Sequence, residues 1–377
     1  MKLETLIVHA GKPGKENAFG EINTPICTST TFVQIEPGKS TRGFEYSRSG
    51  NPTRFALEET IAVLENAKHG LVFSSGLAAM NCVLSMLHPN DHLISINDVY
   101  GGTARYLNSI AHLETDYVDL VGDSDVSGFM KENTRIIWIE TPTNPTLSII
   151  DLNALIESVK RSRPDVMILV DNTFMTPIFQ NPLNLGADIV LHSVTKYING
   201  HCDVIMGALA VNDMEIFNKL KYLQNAIGSV PSPFDCYLVI RGIKTLALRV
   251  RQQAANAQTI AEYLDKHEEI ERVYYPGLTT HPNHEVLKRQ ASGYGAVVSF
   301  TLKKMDAAKF CKQLKLFTLA ESLGGVESLI EIPAIMTHAG LSEEIRQTLG
   351  ITKNFIRMSV GIENVKDLLA DLENALD

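Results

Sequence analysis

The chain has 377 residues and a formal net charge of −9, from 34 basic against 43 acidic side chains. This length suits two or three domains, and the acidic balance argues against nucleic acid or an anionic membrane as the main partner. Five scattered cysteines without a C-x-x-C pair favour a reducing compartment over a disulfide framework. Because there is no apolar run of ~18 residues and no signal-peptide core, we expect a soluble, cytoplasmic protein.

The first 50 residues are rich in Gly, Thr, Ser and Pro and have weak hydrophobic periodicity. They are expected to form an extended N-terminal arm. Asn51 and Pro52 then have the residue types of a helix N-cap and first helical position. The sequence therefore predicts a helix through "TRFALEETIAVLENA".

Between residues 51 and 241, short apolar segments alternate with helical ones. The predicted strands contain "LVF", "HLISI", "DYVDL", "RIIWIE", "VMILV" and "DIVLH". Continuously apolar strands between helices indicate an α/β fold with a mostly parallel sheet that is covered on both faces. Ligands of such sheets bind beyond the carboxyl ends of the strands.

The pattern changes after residue 241. A long helical stretch, "IKTLALRVRQQAANAQTIAEYLDKH", precedes strand-like "RVYYPG", "AVVSFTL" and "FIRMSVG" and a closing helix, "NVKDLLADLENAL". Residues 242–377 are therefore expected to form a smaller C-terminal α+β domain.

Chemically distinctive residues follow the predicted strands. Asp171 ends one strand, and the next runs into "HSVTK", which contains Ser193, Thr195 and Lys196. The strand-to-helix turn "SSGLAAM" offers an anion site at Ser75, Gly76 and Leu77, because a helix N-terminus has free N–H groups and a favourable dipole. Each feature alone has an ordinary explanation as a cap, a turn or a solvated side chain. Together they indicate pyridoxal phosphate chemistry, in which a lysine forms a Schiff base and a carboxylate keeps the pyridine nitrogen protonated.

A series of motifs along the whole chain resembles the transsulfuration enzymes, the pyridoxal-phosphate-dependent family of cysteine and methionine metabolism. The motifs, in order, are "YSRSGNPT" (46–53), "SSGLAAM" (74–80), "YGGT" (100–103), "ETPTNP" (140–145), "VDNTF" (170–174), "ADIVLHSVTKYINGH" (187–201), "AESLGGVESL" (320–329) and "IRMSVGIE" (356–363). The resemblance implies the fold type I, aspartate-aminotransferase-like architecture of PLP-dependent transferases. It also implies a homotetramer built from active dimers.

The resemblance further implies roles for individual residues. The catalytic residues would be Lys196, which would carry pyridoxal 5'-phosphate and act as the base, and Tyr100, which would stack on the cofactor ring. The remaining cofactor-binding residues would be Asp171 at the pyridine nitrogen, together with Ser75, Gly76, Leu77, Thr173, Ser193, Thr195 and, from the neighbouring subunit, Tyr46 and Arg48. The substrate-binding residues would be Arg357, as a bidentate clamp on the α-carboxylate, with Asn144, Ser322, Arg105 and Glu321.

Some residues keep a second interpretation. Arg357 could form a structural salt bridge, and Glu321 could cap the following turn. His281 and His284, in "HPNH", are expected to lie in a surface loop, because no Cys or third His is near in sequence to complete a metal site.

Three local features bear on the reaction within the family. Gly102 stands where methionine γ-lyases resemble one another in carrying a cysteine; Glu321 is shared with cystathionine γ-lyases and γ-synthases; and Pro333 lies in a stretch similar to the lyases. Together they favour a carbon–sulfur lyase that cleaves L-cystathionine to L-cysteine, 2-oxobutyrate and ammonia, with action on homocysteine or at the β side also open. The alternatives are a γ-synthase, a β-lyase, a methionine γ-lyase and a catalytically inactive binding protein.

Overall fold

The computed structural model describes residues 1–12, 20–122 and 125–377. The N-terminal part contains helix α1 (Leu3–His9) and the antiparallel strands β1 (Gln34–Glu36) and β2 (Lys39–Ser40). The expectation of an extended arm is wrong at α1, where the chain is helical. This helix packs Ile7 into the same buried cluster as Leu57 and Ile61. Residues 13–19 of the predicted arm lie outside the described residues.

Helix α2 (Pro52–Leu64) begins where the sequence predicts it. Oδ1 of Asn51 accepts hydrogen bonds from the backbone N–H of Thr53 at 3.0 Å and of Arg54 at 3.1 Å. Nδ2 of Asn51 donates to the carbonyl of Cys27 at 2.8 Å. The N-cap residue therefore also ties the N-terminal segment to the body of the protein.

A seven-stranded sheet forms the larger half of the fold. Its strands are β3 (His69–Phe73), β4 (His92–Ile96), β5 (Glu114–Val118), β6 (Thr134–Glu140), β7 (Met167–Asp171), β8 (Ile189–Ser193) and β9 (Gly207–Val211). The intervening helices are α3 (Gly76–Leu84), α4 (Gly101–Ser109), α5 (Leu152–Ser162), α6 (Thr176–Phe179), α7 (Pro182–Leu185) and α8 (Met214–Ile227), with a 3-10 turn at Ser127–Phe129. The predicted α/β class with a mostly parallel sheet is confirmed.

The strand order is β3-β9-β8-β7-β6-β4-β5, and β9 runs against both of its neighbours. No predicted strand corresponds to β9, "GALAV", which is inserted between β3 and β8. Its first residue, Gly207, lies next to the turn that follows β3: a Cβ at this position would be 2.2 Å from the carbonyl oxygen of Ser75. This approach requires glycine, and it brings the ends of β3 and β8 to one edge of the sheet.

The C-terminal half contains a five-stranded sheet of order β10-β11-β14-β13-β12, antiparallel except for the β12–β13 pair. Its elements are α9 (Pro233–Ile243), α10 (Leu246–Leu264), β10 (Ile270–Tyr274), α11 (His284–Gln290), β11 (Val297–Leu302), α12 (Ala307–Gln313), β12 (Thr318–Leu319), β13 (Leu329–Glu331), α13 (Glu343–Thr348), β14 (Phe355–Ser359) and α14 (Val365–Leu376), with a 3-10 turn at Pro333–Ile335. None of the helices in the described ranges is long and apolar enough to span a bilayer.

Two expectations for this half are corrected. The long helical stretch is interrupted between α9 and α10, where the buried Arg249 donates to the carbonyl of Gly242 at 3.0 Å and thereby satisfies a helix-end acceptor. The "HPNH" segment is not a surface loop. His284 is buried, bonds to the carbonyl of Pro276 at 2.8 Å and stacks on Tyr294, while His281 bonds to the carbonyl of Leu147 at 3.1 Å.

Candidate active site

A cavity of about 300 Å³ opens at the carboxyl edge of the seven-stranded sheet and is completed by C-terminal segments. Thirteen of the sixteen residues that the sequence assigned to a site line it: Ser75, Gly76, Leu77, Tyr100, Asn144, Asp171, Thr173, Ser193, Thr195, Lys196, Glu321, Ser322 and Arg357. Because the parallel strands all end at this edge, segments far apart in sequence meet here.

One wall of the cavity is the turn from β3 into α3. Oγ of Ser75 accepts from the backbone N–H of Ala78 at 3.0 Å and caps the helix. The N–H groups of Gly76 and Leu77 belong to the first turn, where no intrahelical acceptor exists. Gly76 also lies beside Ser193, since a Cβ built on it would be 3.6 Å from the Ser193 Cα. Free amides, the helix dipole and a neighbouring hydroxyl make this wall a suitable anion site.

Another part of the cavity lining is acidic. Oδ1 of Asp171 accepts from the Thr173 backbone N–H at 2.9 Å and from its hydroxyl at 2.5 Å. The Thr173 hydroxyl oxygen in turn accepts from the backbone N–H of Ser193 at 2.8 Å, which links the ends of β7 and β8. Both bonds to Asp171 end on Oδ1, so Oδ2 remains able to accept from a group in the cavity. Burial raises the pKa of Asp171, and the bonds from Thr173 oppose this effect.

A second carboxyl group, that of Glu140, lies beside Asp171 because the two residues are paired across β6 and β7. Oε2 of Glu140 accepts from the backbone N–H of Tyr100 at 2.9 Å, and Oε1 accepts from Nε1 of Trp138 at 3.1 Å. Burial, with the neighbouring Asp171, raises the pKa of Glu140 to about 8. Glu140 was not among the residues predicted for the site, although it ends a predicted strand just as Asp171 does.

Glu140 helps to position Tyr100, which precedes α4 and is 44% exposed. Gly102, in the first turn of α4, lies directly under the Tyr100 ring. A Cβ at position 102 would be 2.4 Å from Cε1 of that ring. With the ring in this position, residue 102 has no room for a Cβ.

Lys196 also lines the cavity. Nζ donates to Oγ of Ser322 at 2.7 Å. Burial, together with the positive charge of Arg357, lowers the pKa of Lys196 to about 8. Ser322 has a φ of 88°, which is unfavourable for a residue with a side chain and is typical of strain held at functional sites. The local conformation thus places a hydroxyl acceptor on the amine.

The guanidinium group of Arg357 is also anchored. Nη2 donates to the carbonyl of Ser322 at 2.8 Å, and Nη1 donates to Oδ1 of Asn144 at 3.0 Å. Oε1 of Glu331 is 3.1 Å from Nη1, so the ion pair considered in the sequence analysis is present. Because Arg357 also lines the cavity, this pairing does not remove it from the site.

Three predicted residues are not among the described residues that line this cavity: Tyr46, Arg48 and Arg105. Tyr46 and Arg48 are exposed, and the Arg48 guanidinium carbon lies 5.5 Å from the centre of the Tyr46 ring. Nη1 of Arg48 donates to the carbonyl of Asn225 at 2.8 Å. Arg105 is exposed on α4.

The side chains that are present fit pyridoxal phosphate. The turn at Gly76 can bind the phosphate, Oδ2 of Asp171 can accept from a ring N–H, and Lys196 offers an amine of lowered pKa to an aldehyde. Among the described residues, no cluster of three His, Cys, Asp or Glu side chains is placed to hold a metal ion. The free amides and the carboxylate together suit a ligand that has a phosphate at one end and a ring N–H at the other.

Known proteins of the same kind cover the whole chain. The profile of the Cys/Met metabolism PLP-dependent enzyme family matches residues 4–377. A relative from Dictyostelium discoideum named cystathionine gamma-lyase is 53% identical, covering 100% of this chain and 98% of its own. A relative from Coxiella burnetii named cystathionine beta-lyase is 47% identical, covering 99% and 97%. The crystal structure of cystathionine gamma-lyase from yeast superposes with a TM-score of 0.95 at 48% identity, covering 100% and 98%.

Proposed function

The chain belongs to the Cys/Met metabolism PLP-dependent enzyme family, and we propose that it converts L-cystathionine and water to L-cysteine, 2-oxobutyrate and ammonia. The name cystathionine gamma-lyase, carried by relatives at 53% and 49% identity over the full chain, supports this reaction. The main structural support is that Ser322 contacts both reactive groups: its hydroxyl bonds to the amine of Lys196 and its carbonyl to the guanidinium of Arg357.

We propose that the cofactor is held along the carboxyl edge of the sheet. When bound, pyridoxal phosphate supplies an aldehyde for covalent attachment and a ring that withdraws electrons from the substrate Cα. The amides of Gly76 and Leu77 would bind its phosphate, with the hydroxyl of Ser193 beside them. Asp171 would accept the hydrogen bond of the ring nitrogen, and Tyr100 would cover a face of the ring.

The protein then has to hold the amino acid and move its protons. Arg357 would bind the α-carboxylate through two parallel N–H bonds, which fixes the substrate Cα in front of the lysine. Lys196 would remove the Cα proton, because an amine with a pKa of about 8 is a competent base near neutral pH. Ser322 would keep that amine aligned through its hydroxyl.

Glu321 supports a substrate with a second polar end. It lies at the mouth of the cavity, exposed but among the lining residues. A carboxylate there can bind the distal ammonium group of cystathionine. Since the Coxiella burnetii relative is named for β cleavage, β elimination remains the second candidate reaction.

Product analysis tests the reaction directly. Purified holoenzyme with L-cystathionine should release 2-oxobutyrate and cysteine, whereas β cleavage would release pyruvate and homocysteine. A Lys196→Ala variant should release neither keto acid, which controls for contaminating lyases. If cystathionine is inert and turnover needs an O-acylhomoserine with cysteine, the enzyme is a γ-synthase. A protein that never gains a borohydride-sensitive absorbance band with pyridoxal phosphate would be the inactive binding protein.

We also propose a homotetramer of active dimers, in which Tyr46 and Arg48 complete the site of a neighbouring subunit. Their exposure and their position outside their own chain's cavity support this arrangement. Mixed oligomers of Arg48→Ala and Lys196→Ala subunits should recover part of the activity, because one site in each hybrid dimer would then be intact. No recovery after subunit exchange would show that each chain completes its own site.

We propose further that residues 1–50, 51–241 and 242–377 act as the arm, the cofactor-binding domain and the C-terminal domain. The separate seven-stranded and five-stranded sheets support the latter two. A cytoplasmic location is supported by the five cysteines, all of which are free thiols. The second boundary lies at the end of α9, so limited proteolysis should cut first between α9 and α10, near Lys244, if the C-terminal domain is a separate unit.

A further inference from the structure

The proposed carboxylate clamp, Arg357, already has an anionic partner in the protein. Arg357 and Glu331 are paired across β14 and β13, and Oε1 of Glu331 is 3.1 Å from Nη1. The two side chains are only 3% and 1% exposed. Thr337 donates a hydrogen bond of 2.8 Å to the same carboxylate oxygen, which stabilises its negative charge. The positive charge that would receive the substrate is therefore neutralised in the protein itself.

The other contacts of Arg357 leave one edge of the guanidinium for a ligand. Nη1 faces Asn144 and Glu331, and Nη2 has its protein acceptor in Ser322. Nε is buried and has no hydrogen-bond acceptor within the described part of the chain. Nε and Nη2 share the edge that offers two parallel donors to a carboxylate. A ligand carboxylate would thus bind on the side away from Glu331.

We propose that Glu331 is a positioning residue that serves as the resting counter-ion of Arg357 and thereby weakens the binding of amino-acid carboxylates. The proposal rests on the proposed function, because it takes Arg357 as the carboxylate clamp. A buried guanidinium without a counter-ion is strongly unfavourable. Loss of the Glu331 charge would therefore destabilise the free enzyme more than the complex, because in the complex the ligand carboxylate pairs with Arg357. By linkage, this difference in free energy makes ligand binding tighter.

This role has a use in turnover. One product of the proposed reaction, 2-oxobutyrate, keeps the carboxylate that Arg357 would have bound in the substrate. An Arg357 guanidinium that stays paired with Glu331 releases this product more easily than an unpaired guanidinium would. Because the carboxylate is held alike in substrate, transition state and product, tighter binding of it would lower KM without raising kcat. Glu331 would therefore weaken the binding of substrate and product and thereby speed product release.

The test compares two ligands that differ at the carboxylate. Cofactor-loaded enzyme is titrated calorimetrically with L-alanine and with L-alaninamide, and the ratio of the two dissociation constants measures carboxylate recognition. Glu331→Gln keeps the shape of the side chain and removes its charge. It should increase the preference for L-alanine by about tenfold or more, since close buried charge pairs couple by at least that much. KM for cystathionine should fall in the same variant.

A matched control separates this effect from general destabilisation. Asp371 is another buried carboxylate of the C-terminal half, where it accepts from the backbone N–H of Lys315 and Leu316 outside the cavity. Asp371→Asn should lower the melting temperature and leave the alanine preference unchanged. If Glu331→Gln does not fold, Glu331→Asp should shift the preference in the same direction by a smaller factor, because it withdraws the charge by one methylene.

Arg357→Ala distinguishes failure of this proposal from failure of the proposed function. If Arg357 is the clamp, this variant should bind the two ligands almost equally. If it keeps the wild-type preference, the substrate assignment to Arg357 is wrong. The remaining outcome is that Arg357→Ala abolishes the preference for L-alanine while Glu331→Gln leaves that preference unchanged or lowers it. That result would overturn the counter-ion role of Glu331 and support Arg357 as the carboxylate clamp.

Discussion

The position of the Tyr100 ring should be sensitive to a single methyl group. In Gly102→Ala the new Cβ would lie 2.4 Å from Cε1 and 3.1 Å from Cδ1 and Cζ of that ring. To restore an ordinary contact of about 3.5 Å, the ring has to move by about 1 Å. Tyr100 is 44% exposed and can make this movement without disturbing the core.

The expected result is a loss of activity without a loss of stability. A displacement of about 1 Å at a reacting centre can cost up to about 100-fold in rate, or about 2.7 kcal/mol. Alanine in place of a helical glycine stabilises by about 0.5–1 kcal/mol, so the melting temperature should stay level or rise. The assay is kcat/KM for 2-oxobutyrate release from cystathionine, with thermal unfolding of the same preparations.

Two comparisons make this result specific. Gly128→Ala introduces a methyl group into open space and should change neither quantity. In a Tyr100→Ala background, Gly102→Ala should have no further effect on kcat/KM, because no ring is left to displace. Wild-type activity in Gly102→Ala, or a loss that persists without Tyr100, would refute the reasoning.

Three further predictions concern the amine, the acidic end and the arm. The rate at which cofactor-free enzyme forms a borohydride-reducible adduct with pyridoxal phosphate should rise with pH through about 8, because only the neutral Lys196 amine attacks; a rise centred near pH 10 would contradict the lowered pKa. Asp171→Asn should weaken cofactor binding by about tenfold or more in equilibrium dialysis, since a charged acceptor is lost; wild-type affinity would exclude the contact with the ring nitrogen. Asn51→Ala should lower the free energy of unfolding by about 1–2 kcal/mol in denaturant titration, because two N-cap bonds are lost; an unchanged value would mean that water replaces the cap.

Two charged side chains of the site contact the same residue, Ser322, whose backbone is strained. The amine of Lys196 bonds to the hydroxyl of Ser322, and the guanidinium of Arg357 bonds to its carbonyl. A residue with a φ of 88° thus contacts both the proposed base and the proposed carboxylate clamp. The positive charge of Arg357 also lowers the pKa of Lys196, while Glu331 opposes this effect. Changes at Glu331 should therefore act on substrate affinity and on the basicity of the lysine together.

The sequence determined the local elements and the chemistry at the strand ends. Alternating apolar strands and helices predicted the α/β class, and the residue types at Asn51 and Pro52 predicted the start of α2. Asp171 and Ser193 were identified because each ends a strand, and Lys196 because it lies three residues beyond the second of these strands. These signals are local: a strand end or an N-cap depends on residues within a few positions, and all of them can be read in order along the chain.

The tertiary structure decided which side chains meet. Glu140 became part of the site because β6 and β7 align it with Asp171, and Glu331 because β13 and β14 align it with Arg357. Asn144 and Arg357, 213 residues apart, bond across the two sheets. Strand β9 was not predicted, because its five residues give no local sign that the chain returns between β3 and β8 and runs antiparallel to both. Register and strand order are properties of the assembled sheets, since a slip of one residue turns every side chain to the other face.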